Sequence, residues 1–403
     1  MKRMVCAALC LMLCLTMSVA AERPTVLFDT ASGESEEMLA VMTAAPEALS
    51  VNAKSAVLMD MTTGTVLFEQ NSHEALPIAS VTKVMTLLLV MEAIDDGRLT
   101  PDETVTVSSY AASMGGSQIW LEENEQMTVH DLLKAAVIVS ANDACAALAE
   151  HLCGTQAAFV ERMNIRAKEL GATDTHFVDC SGLDDSGVSS AHDIALMSAE
   201  LMRAHPSIKQ FTTTWMDSLR GGASELVNTN RLVRFYNGAT GLKTGTTSAA
   251  GCCLSATAER EGLMLCAVVL GAPSSDDRFS GARQLLDYGF ASYAMYTPSA
   301  EDLRCNPVAV LHGVSAQVEV VAQEIGGFPV DKALGGKITV ECRVATDVEA
   351  PVERGQRLGE AVVSADGAEL CRIPLVAAQE VERMTFSRAL WRFFGGTTVG
   401  YAV

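Results

Sequence analysis

Hydrophobic positions follow two periods along the chain, and the order of these periods predicts an architecture. Alternating patterns over residues 56–60 and 65–68 flank a turn at 62–64, which predicts a β-hairpin. Helical patterns follow, and strand patterns return over 251–258 and 263–270. Strands at both ends with helices between them predict a sheet whose first and last strands meet in space.

The intervening helices are predicted by apolar residues three and four positions apart. The first begins at Ser80 and ends near Gly97, because glycine suits the position just past a helix. Others are predicted after Thr128, which with Asp131 resembles a capping box, over residues 155–170, and after Ser190, which is followed by Asp193. These helices fill the chain between the two groups of strands.

A change of pattern marks a second domain. After a last helix over 277–288, the chain shows short alternating strands, such as 317–321 and 337–344, with Gly and Pro at turns. We therefore expect a first domain over 49–297 and a small, separate β domain over 298–379.

The amino terminus has the three-part pattern of a secretory signal peptide. Two basic residues precede an apolar run over 4–17, and small residues at 18–21 suit a cleavage site. The run is shorter than the roughly 20 apolar residues that span a bilayer. The sequence therefore predicts a signal peptide over 1–21, a linker over 22–48, and an exported mature protein.

The last segment, 380–403, is predicted to hold an amphipathic helix. Its apolar face carries Phe386, Leu390, Phe393 and Phe394, and Arg388 and Arg392 lie opposite. Such a helix is typical of a protein that rests on a bilayer, so we expect it to anchor the chain to the outer face of the cytoplasmic membrane. The alternative is a terminal helix docked on the protein's own body.

Composition limits the partners. The chain of 403 residues is 49% hydrophobic and 19% charged, as in globular proteins, and its length suits two domains. The net charge of −20 argues against nucleic acid and against a general electrostatic attraction to anionic surfaces. Local cations must therefore hold any anionic substrate.

Nine cysteines follow the predicted signal peptide, and this odd number cannot pair completely within one chain. They are Cys145, Cys153, Cys180, Cys252, Cys253, Cys266, Cys305, Cys342 and Cys371. Several lie in apolar stretches without the CxxC spacing of a zinc site, so we expect buried free thiols. Export to an oxidising compartment permits a disulfide, but the sequence alone does not show which cysteines would pair.

Three short motifs occur in order and carry the candidate chemistry. In the first, Ser80 precedes Lys83 by three residues at a predicted helix start, so the two side chains share a face and the helix N-terminus favours developing negative charge. A serine hydroxyl needs a base, and a lysine can serve only if burial or a nearby cation lowers its pKa. Lys243, in the third motif, is the candidate for that second cation.

The second motif places Ser140 and Asn142 between two predicted helices. There Ser140 can relay a proton to a leaving amine, and Asn142 can hydrogen-bond a substrate peptide. The alternative is an ordinary N-cap for a helix over 143–153.

The third motif, Lys243, Thr244 and Gly245, is predicted on a strand. Gly245 would let substrate backbone approach closely, and Lys243 with the hydroxyls of Thr244 and Thr246 would face a carboxylate. The alternative is a plain surface strand.

With these motifs the chain resembles the low-molecular-mass penicillin-binding proteins that act as D-alanyl-D-alanine carboxypeptidases. The resemblance covers residues 78–83, 140–149, 175–185, 241–247, 268–278 and 350–379, and the terminal helix. It implies an α/β (α+β) catalytic domain of the β-lactamase/transpeptidase type, with an antiparallel sheet and helices on both faces, followed by a small all-β domain. One departure is Thr246, which stands where the family often has histidine.

The resemblance implies a division of labour among the motif residues. Ser80 would form the acyl-enzyme and Lys83 would take its proton. Ser140 and Asn142 would complete the proton relay and the substrate contacts, and Lys243 would tune the cluster electrostatically.

The resemblance also implies how the substrate is held. The backbone N–H groups of Ser80 and Thr246 would form the oxyanion hole, and Thr244 and Arg278 would bind the carboxylate of the terminal D-alanine. A different role for Arg278 is an ion pair with one of the two aspartates before it. The implied partners are a peptidoglycan pentapeptide ending in D-Ala-D-Ala and, as inhibitors, β-lactam antibiotics; no cofactor or metal is expected.

Three other functions compete with this one. A class A β-lactamase shares the motifs, but it also uses a Glu-x-x-x-Asn loop between the second and third motifs, which this sequence lacks. A catalytically silent wall-binding protein has no chemical need for the full set of motif residues. A metalloenzyme is disfavoured because the seven histidines show no HExxH or similar spacing.

Overall fold

A computed structural model of the chain describes residues 49–323, 327–334 and 338–395. The predicted signal peptide and linker, 1–48, lie outside these residues. So do residues 396–403 and the side chains of Phe393 and Phe394 in the predicted terminal helix.

Up to residue 292 the described chain contains both helices and strands. The strands are β1 (Ser55–Asp60), β2 (Val66–Gln70), β3 (Leu76–Pro77), β4 (Thr104–Thr106), β5 (Gln126–Thr128), β6 (Val188–Ser189), β7 (Met216–Leu219), β8 (Ser224–Val227), β9 (Ala239–Thr247), β10 (Gly251–Arg260) and β11 (Leu263–Ala272). The α-helices are α1 (Lys83–Asp95), α2 (Ser109–Ala112), α3 (Val129–Ile138), α4 (Asn142–Cys153), α5 (Gln156–Glu169), α6 (Ala191–Ala204), α7 (Lys209–Thr212), α8 (Leu232–Phe235) and α9 (Ser275–Ser292). Turns of 3₁₀ helix lie at Ala79–Thr82, Pro206–Ile208 and Arg220–Gly222.

A five-stranded antiparallel sheet forms the centre, in the order β2-β1-β11-β10-β9. The first strand, β1, pairs with the last, β11, so that Ser55 lies opposite Leu270. The prediction that the first and last strands meet is confirmed. Strand β9 lies at the edge of the sheet and pairs with β10 on one side.

Both faces of the sheet are covered. Because successive side chains of a strand point to opposite faces, those of this sheet enter two different buried clusters. In β1, Val57 and Met59 belong to the cluster formed with α1 and the other helices, whereas Ala56 and Leu58 belong to the cluster formed with α9. Helix α1 is buried on almost all sides, with ten of its 13 residues enclosed. The residue at its first position, Lys83, is therefore enclosed as well.

Hydroxyl side chains cap helices α3, α5 and α6; the caps at Thr128 and Ser190 were predicted, whereas Thr155 precedes the helix that was predicted to include it. The hydroxyls of Thr128, Thr155 and Ser190 accept hydrogen bonds of 3.1 to 3.2 Å from the backbone N–H three residues further on. The helix predicted from Ser80 begins differently, with a 3₁₀ turn that continues into α1. Gly97 follows its end with a φ of 73°.

The remaining strands form two small sheets and a strand pair. They are β12 (Tyr293–Tyr296), β13 (Val308–Leu311), β14 (Gln317–Val318), β15 (Val320–Ala322), β16 (Phe328–Asp331), β17 (Ile338–Val344), β18 (Asp347–Glu349), β19 (Arg357–Ala365) and β20 (Ala368–Ala377). The sheets have the orders β15-β20-β19-β17 and β14-β13-β18, and β12 pairs with β16. They enclose a third buried cluster, which includes Val308, Val363 and Ile373.

One strand prediction in this region is wrong. The single strand expected over 317–321 is two strands, because the chain leaves the three-stranded sheet after Val318 and enters the four-stranded sheet at Val320. Side chains on either side of Glu319 alternate as one strand would, so the hydropathy pattern does not reveal the change of sheet.

The described chain ends in α10 (Phe386–Gly395). Phe386 is 83% exposed and Leu390 46% exposed, so these side chains are not docked on the protein's own body. Arg388 forms an ion pair with Glu382. Among the described residues, no helix is long and apolar enough to cross a bilayer.

Candidate active site

Three segments that are far apart in sequence meet at the amine of Lys83. Its Nζ lies 2.9 Å from Ser80 Oγ, 2.6 Å from Asn142 Oδ1 and 2.7 Å from the carbonyl oxygen of Ser181. The structure thus brings the first and second motifs together around one nitrogen.

Burial changes the acid–base chemistry of Lys83. The side chain is fully buried, and desolvation disfavours the ammonium, which lowers the pKa of Lys83 below its usual value. The carboxylates of Asp143 and Asp179 favour the ammonium, but burial is the larger effect. Burial therefore meets the condition under which a lysine can act as a base.

Lys243 is a second buried amine, on β9. Its Nζ donates to the carbonyl oxygen of Thr244 at 2.9 Å. Burial holds the pKa of Lys243 well below the ordinary value, and repulsion from Lys83 and Arg278 lowers it further. The charge of Lys83 therefore acts on Lys243, whereas the effect of Lys243 on Lys83 stays a prediction.

Ser140 occupies a strained position between α3 and α4. Its φ of 63° lies in the left-handed region, and its buried hydroxyl has no hydrogen-bond partner among the described residues. The alternative that this motif is an N-cap is wrong, because the capping position of α4 is Ala141 and no side chain caps it. Strain and an unpaired hydroxyl both cost stability, and such costs concentrate at functional positions.

Polar contacts at the start of α4 hold Asn142 in place. Asn142 Nδ2 donates to the carbonyl oxygen of Gly115 at 2.7 Å. The backbone N–H of Asn142 donates to the carbonyl oxygen of Ser117, also at 2.7 Å. The buried carboxylate of Asp143 accepts from the N–H of Ile119. These bonds connect the loop between α2 and β5 to helix α4. They leave the Asn142 amide oxygen directed at Lys83.

Strand β9 lies directly against the turn that carries Ser80. A Cβ added to Gly245 would come within 2.7 Å of the Ile78 carbonyl oxygen and 2.9 Å of the Ser80 nitrogen. The glycine is therefore required by the approach of the protein's own backbone, and not by the approach of substrate that the sequence predicts. This contact brings the edge of β9 beside the Ser80 N–H.

Arg278 reaches the same end of β9 from helix α9. Its Nη1 donates to the carbonyl oxygen of Gly245 and to Thr246 Oγ1, both at 2.9 Å. Thr244 differs, since its hydroxyl donates to Thr229 Oγ1 at 2.7 Å. The structure therefore joins Thr246 to Arg278 and turns the Thr244 hydroxyl toward Thr229.

The alternative ion pair of Arg278 is wrong. Asp276 pairs with Arg231 at 2.7 Å, and Asp277 binds Ser274 at the start of α9. In the described ranges no ion pair joins Arg278 to a carboxylate, although only 8% of the residue is exposed. Burial lowers the pKa of Arg278, as expected for a cation without a neutralising partner.

The turn over 179–184 supplies site contacts that were not among the predicted site residues. The Asp179 carboxylate accepts from the N–H of Ser181 at 2.6 Å and from the N–H of Gly182, which aims the Ser181 carbonyl at Lys83. A Cβ on Gly182 would lie 1.8 Å from the Ala79 carbonyl oxygen, and the φ there is 73°. The sequence signal for this turn is an aspartate two residues before a Ser-Gly pair.

A metal site is not evident. Across residues 49–323, 327–334 and 338–395, no group of three or more His, Cys, Asp or Glu side chains is arranged to hold a metal ion. The chemistry available at the site is that of a serine, two buried lysines and backbone donors.

Family comparisons agree with this arrangement. Residues 40–274 match the model of the D-alanyl-D-alanine carboxypeptidase family, and residues 293–383 match that of the penicillin-binding protein 5 C-terminal domain. The D-alanyl-D-alanine carboxypeptidase DacF of Bacillus subtilis is 39% identical over 355 residues, which cover 87% of this chain and 91% of DacF.

Solved structures agree as well. Penicillin-binding protein 5 of Haemophilus influenzae has a TM-score of 0.77 at 29% identity, covering 85% of this chain and 100% of that protein. Penicillin-binding protein D2 of Listeria monocytogenes, in its ampicillin-bound form, has a TM-score of 0.56 at 36% identity, covering 60% and 99%. The predicted fold class is confirmed. The alternative functions, a β-lactamase and a catalytically silent wall-binding protein, are not favoured. The chain belongs to the D-alanyl-D-alanine carboxypeptidase family of penicillin-binding proteins.

Proposed function

We propose that this protein releases the terminal D-alanine of peptidoglycan stem peptides, with Ser80 as the nucleophile and Lys83 as its base. The observation that carries the proposal is the buried amine of Lys83, 2.9 Å from Ser80 Oγ. Family membership supports the substrate class, and the geometry of the site supports the residue roles.

The three contacts of Lys83 suit a neutral amine. The side-chain oxygen of Asn142 and the carbonyl oxygen of Ser181 only accept hydrogen bonds, so they take the two N–H groups of the amine. Ser80 is the one partner that can also donate, so once Lys83 is neutral its nitrogen lone pair can accept the Ser80 proton. General-base catalysis needs a lone pair at this distance from the hydroxyl.

In the acylation step, Ser80 Oγ attacks the carbonyl carbon between the two D-alanines, and its proton moves to Lys83 Nζ. The oxygen of the tetrahedral intermediate takes hydrogen bonds from the N–H groups of Ser80 and Thr246, which Gly245 allows to lie close together. The C–N bond then breaks, and the leaving amine receives a proton from Lys83 through the Ser140 hydroxyl. D-Alanine departs and leaves an ester on Ser80.

Hydrolysis repeats these transfers with water as the nucleophile. Lys83 takes a proton from water as the water oxygen attacks the acyl carbon, and it returns that proton to Ser80 Oγ when the ester C–O bond breaks. Burial disfavours a permanent charge on Lys83, and we assign Lys243 the role of tuning this cluster electrostatically. Asn142 hydrogen-bonds a peptide group of the substrate in addition to Lys83.

Arg278 binds the terminal carboxylate of the substrate and so restricts cleavage to the last residue. A buried guanidinium without a carboxylate partner favours an anionic ligand. The hydroxyl of Thr246 lies 2.9 Å from Nη1 and belongs to the same site. Thr244, on β9 between Lys243 and Gly245, provides a further contact to this carboxylate.

The same attack on a β-lactam ring would acylate Ser80. Support comes from the Listeria relative, whose structure holds ampicillin. In a β-lactam the leaving amine stays attached to the acyl group, so it remains in the site and slows the approach of water. We therefore expect a long-lived adduct, which separates this protein from a β-lactamase.

The proposed organisation places the site outside the cell. Residues 1–21 direct export, 22–48 form a linker, and the catalytic domain over 49–297 is followed by the β domain over 298–379. The segment 380–403 rests on the outer face of the cytoplasmic membrane. Support for this last role comes from the exposed Phe386 and Leu390 of α10, with Arg388 on the same helix.

Released D-alanine tests the nucleophile. The mature protein should release D-alanine from a pentapeptide ending in D-Ala-D-Ala, and Ser80→Ala should lower the rate by about 10⁴-fold, because the attacking oxygen is gone. Ser280→Ala, at an exposed position of α9, is the control and should match the wild type. Equal release from Ser80→Ala, or none from the folded wild type, would show that the proposal is wrong.

Substrate amidation tests Arg278. The wild type should prefer a free terminal carboxylate over a terminal amide, and Arg278→Gln should reduce that preference by about 100-fold, because the buried cation no longer matches the anion. The readout is kcat/KM for the two peptides. Arg231→Gln, which breaks the surface pair with Asp276, should leave the preference unchanged. An unaltered preference in Arg278→Gln would place carboxylate recognition elsewhere.

Co-sedimentation with lipid vesicles tests the terminal helix. The mature chain should sediment with vesicles of phosphatidylglycerol and phosphatidylethanolamine, and replacing Phe386 and Leu390 with Ser should abolish binding, because both side chains insert between lipids. Phe235→Ser removes another exposed phenylalanine, at 61% exposure, and should bind as the wild type does. Equal binding by all three proteins would refute the anchoring role.

A further inference from the structure

The nine cysteines of the described chain are all free thiols, and they differ in burial. Five are buried, as the sequence predicts. The other four are only partly buried and are therefore accessible to a dissolved oxidant; they are Cys153, Cys252, Cys305 and Cys342. Two of these four lie together in the β domain.

Cys305 and Cys342 are neighbours in space although they are distant in sequence. Cys342 Sγ lies 3.7 Å from the carbonyl oxygen of Asp302, and Cys305 Sγ lies 3.4 Å from the next carbonyl oxygen, that of Leu303. The two sulfur atoms therefore lie at the same short turn, on adjacent carbonyl oxygens. Side chains placed in this way suit a disulfide, which needs the two Cβ atoms about 4 Å apart.

The two cysteines belong to different parts of the β domain. Cys342 lies on β17, the edge strand of the four-stranded sheet, and Cys305 lies in the segment that connects β12 to β13. Within the described residues this segment contains no strand, so a covalent bond would attach it to the sheet edge.

We propose that Cys305 and Cys342 form a disulfide in the mature, exported protein. The oxidant is a disulfide of the type R–S–S–R, supplied by a small thiol or by a thiol–disulfide exchange protein. Two protein thiols and one R–S–S–R give one protein disulfide and two R–SH, so that atoms and electrons balance.

The exchange takes two steps. The thiolate of one cysteine of the pair attacks R–S–S–R, forms a mixed disulfide and releases one R–S⁻. The other cysteine then loses its proton to that thiolate and attacks the protein sulfur of the mixed disulfide. The second R–S⁻ leaves and takes a proton from solvent.

Another neighbouring pair does not fit this role. Cys145 and Cys180 also influence each other, but both are buried beside Lys83. A dissolved disulfide cannot reach them without unfolding the site. The pair in the β domain is far more exposed, which makes oxidation there selective.

Peptide mapping tests the proposal directly. The mature chain is reduced, incubated with glutathione disulfide at mildly alkaline pH, blocked with maleimide and digested without reductant. We expect the loss of two free thiols and a peptide pair joined through Cys305 and Cys342, lighter by two hydrogen atoms than the sum of the reduced peptides. Retention of all nine thiols, or a bond between other cysteines, would overturn the proposal.

Matched variants separate this pair from general oxidation. Cys305→Ser and Cys342→Ser should each lack the cross-link, whereas Cys153→Ser removes a partly buried cysteine elsewhere and should form it as the wild type does. The oxidised wild type should unfold at a temperature several degrees higher than the reduced form, because the bond restricts the unfolded chain. Equal unfolding temperatures would refute this stabilising role. Release of D-alanine is measured in parallel, so that failure here is distinct from failure of the proposed function.

Discussion

Burial of the Lys83 amine is the constraint on which the rest of the site depends. An ammonium without water is costly, so the protein must either neutralise it or give every N–H a partner. The structure does both. Burial lowers the pKa of Lys83 and so favours the neutral amine, and its nitrogen has polar partners from three segments, Ser80 Oγ, Asn142 Oδ1 and the Ser181 carbonyl oxygen. The surroundings that make Lys83 costly to bury are those under which a lysine can act as a base.

Much of the neighbouring structure exists to keep these partners in place. Asp179 and Gly182 shape the turn that presents the Ser181 carbonyl, and Gly115 holds the Asn142 amide. Strained backbone angles occur beside the same side chains. Ala79, directly before the nucleophile, has a φ of 49°, and Ser140 has a φ of 63° with an unpaired buried hydroxyl. Such features lower stability and are retained where geometry matters more.

Sequence patterns predicted the elements well because helices and strands have their own periods and caps. Thr128, Thr155 and Ser190 cap the helices that follow them, and the two groups of strands form one sheet. The side chains of the three motifs were also predictable, since their types and spacing carry chemistry. Two backbone features of the site could not be predicted from the sequence. The Ser181 carbonyl and the close approach of Gly245 to Ser80 depend on tertiary contacts that leave no periodic trace.

The protonation state of Lys83 is the central claim of this account, and it can be observed directly. Lysine side chains labelled with ¹⁵N give Nζ resonances that can be followed by NMR as pH is varied, and comparison with Lys83→Arg assigns the resonance of Lys83. The account predicts that this amine titrates below the usual lysine pKa of about 10.4 and is neutral at a pH where the enzyme is active. A Lys83 amine that stays charged up to the ordinary lysine range, in an enzyme active at lower pH, would contradict it.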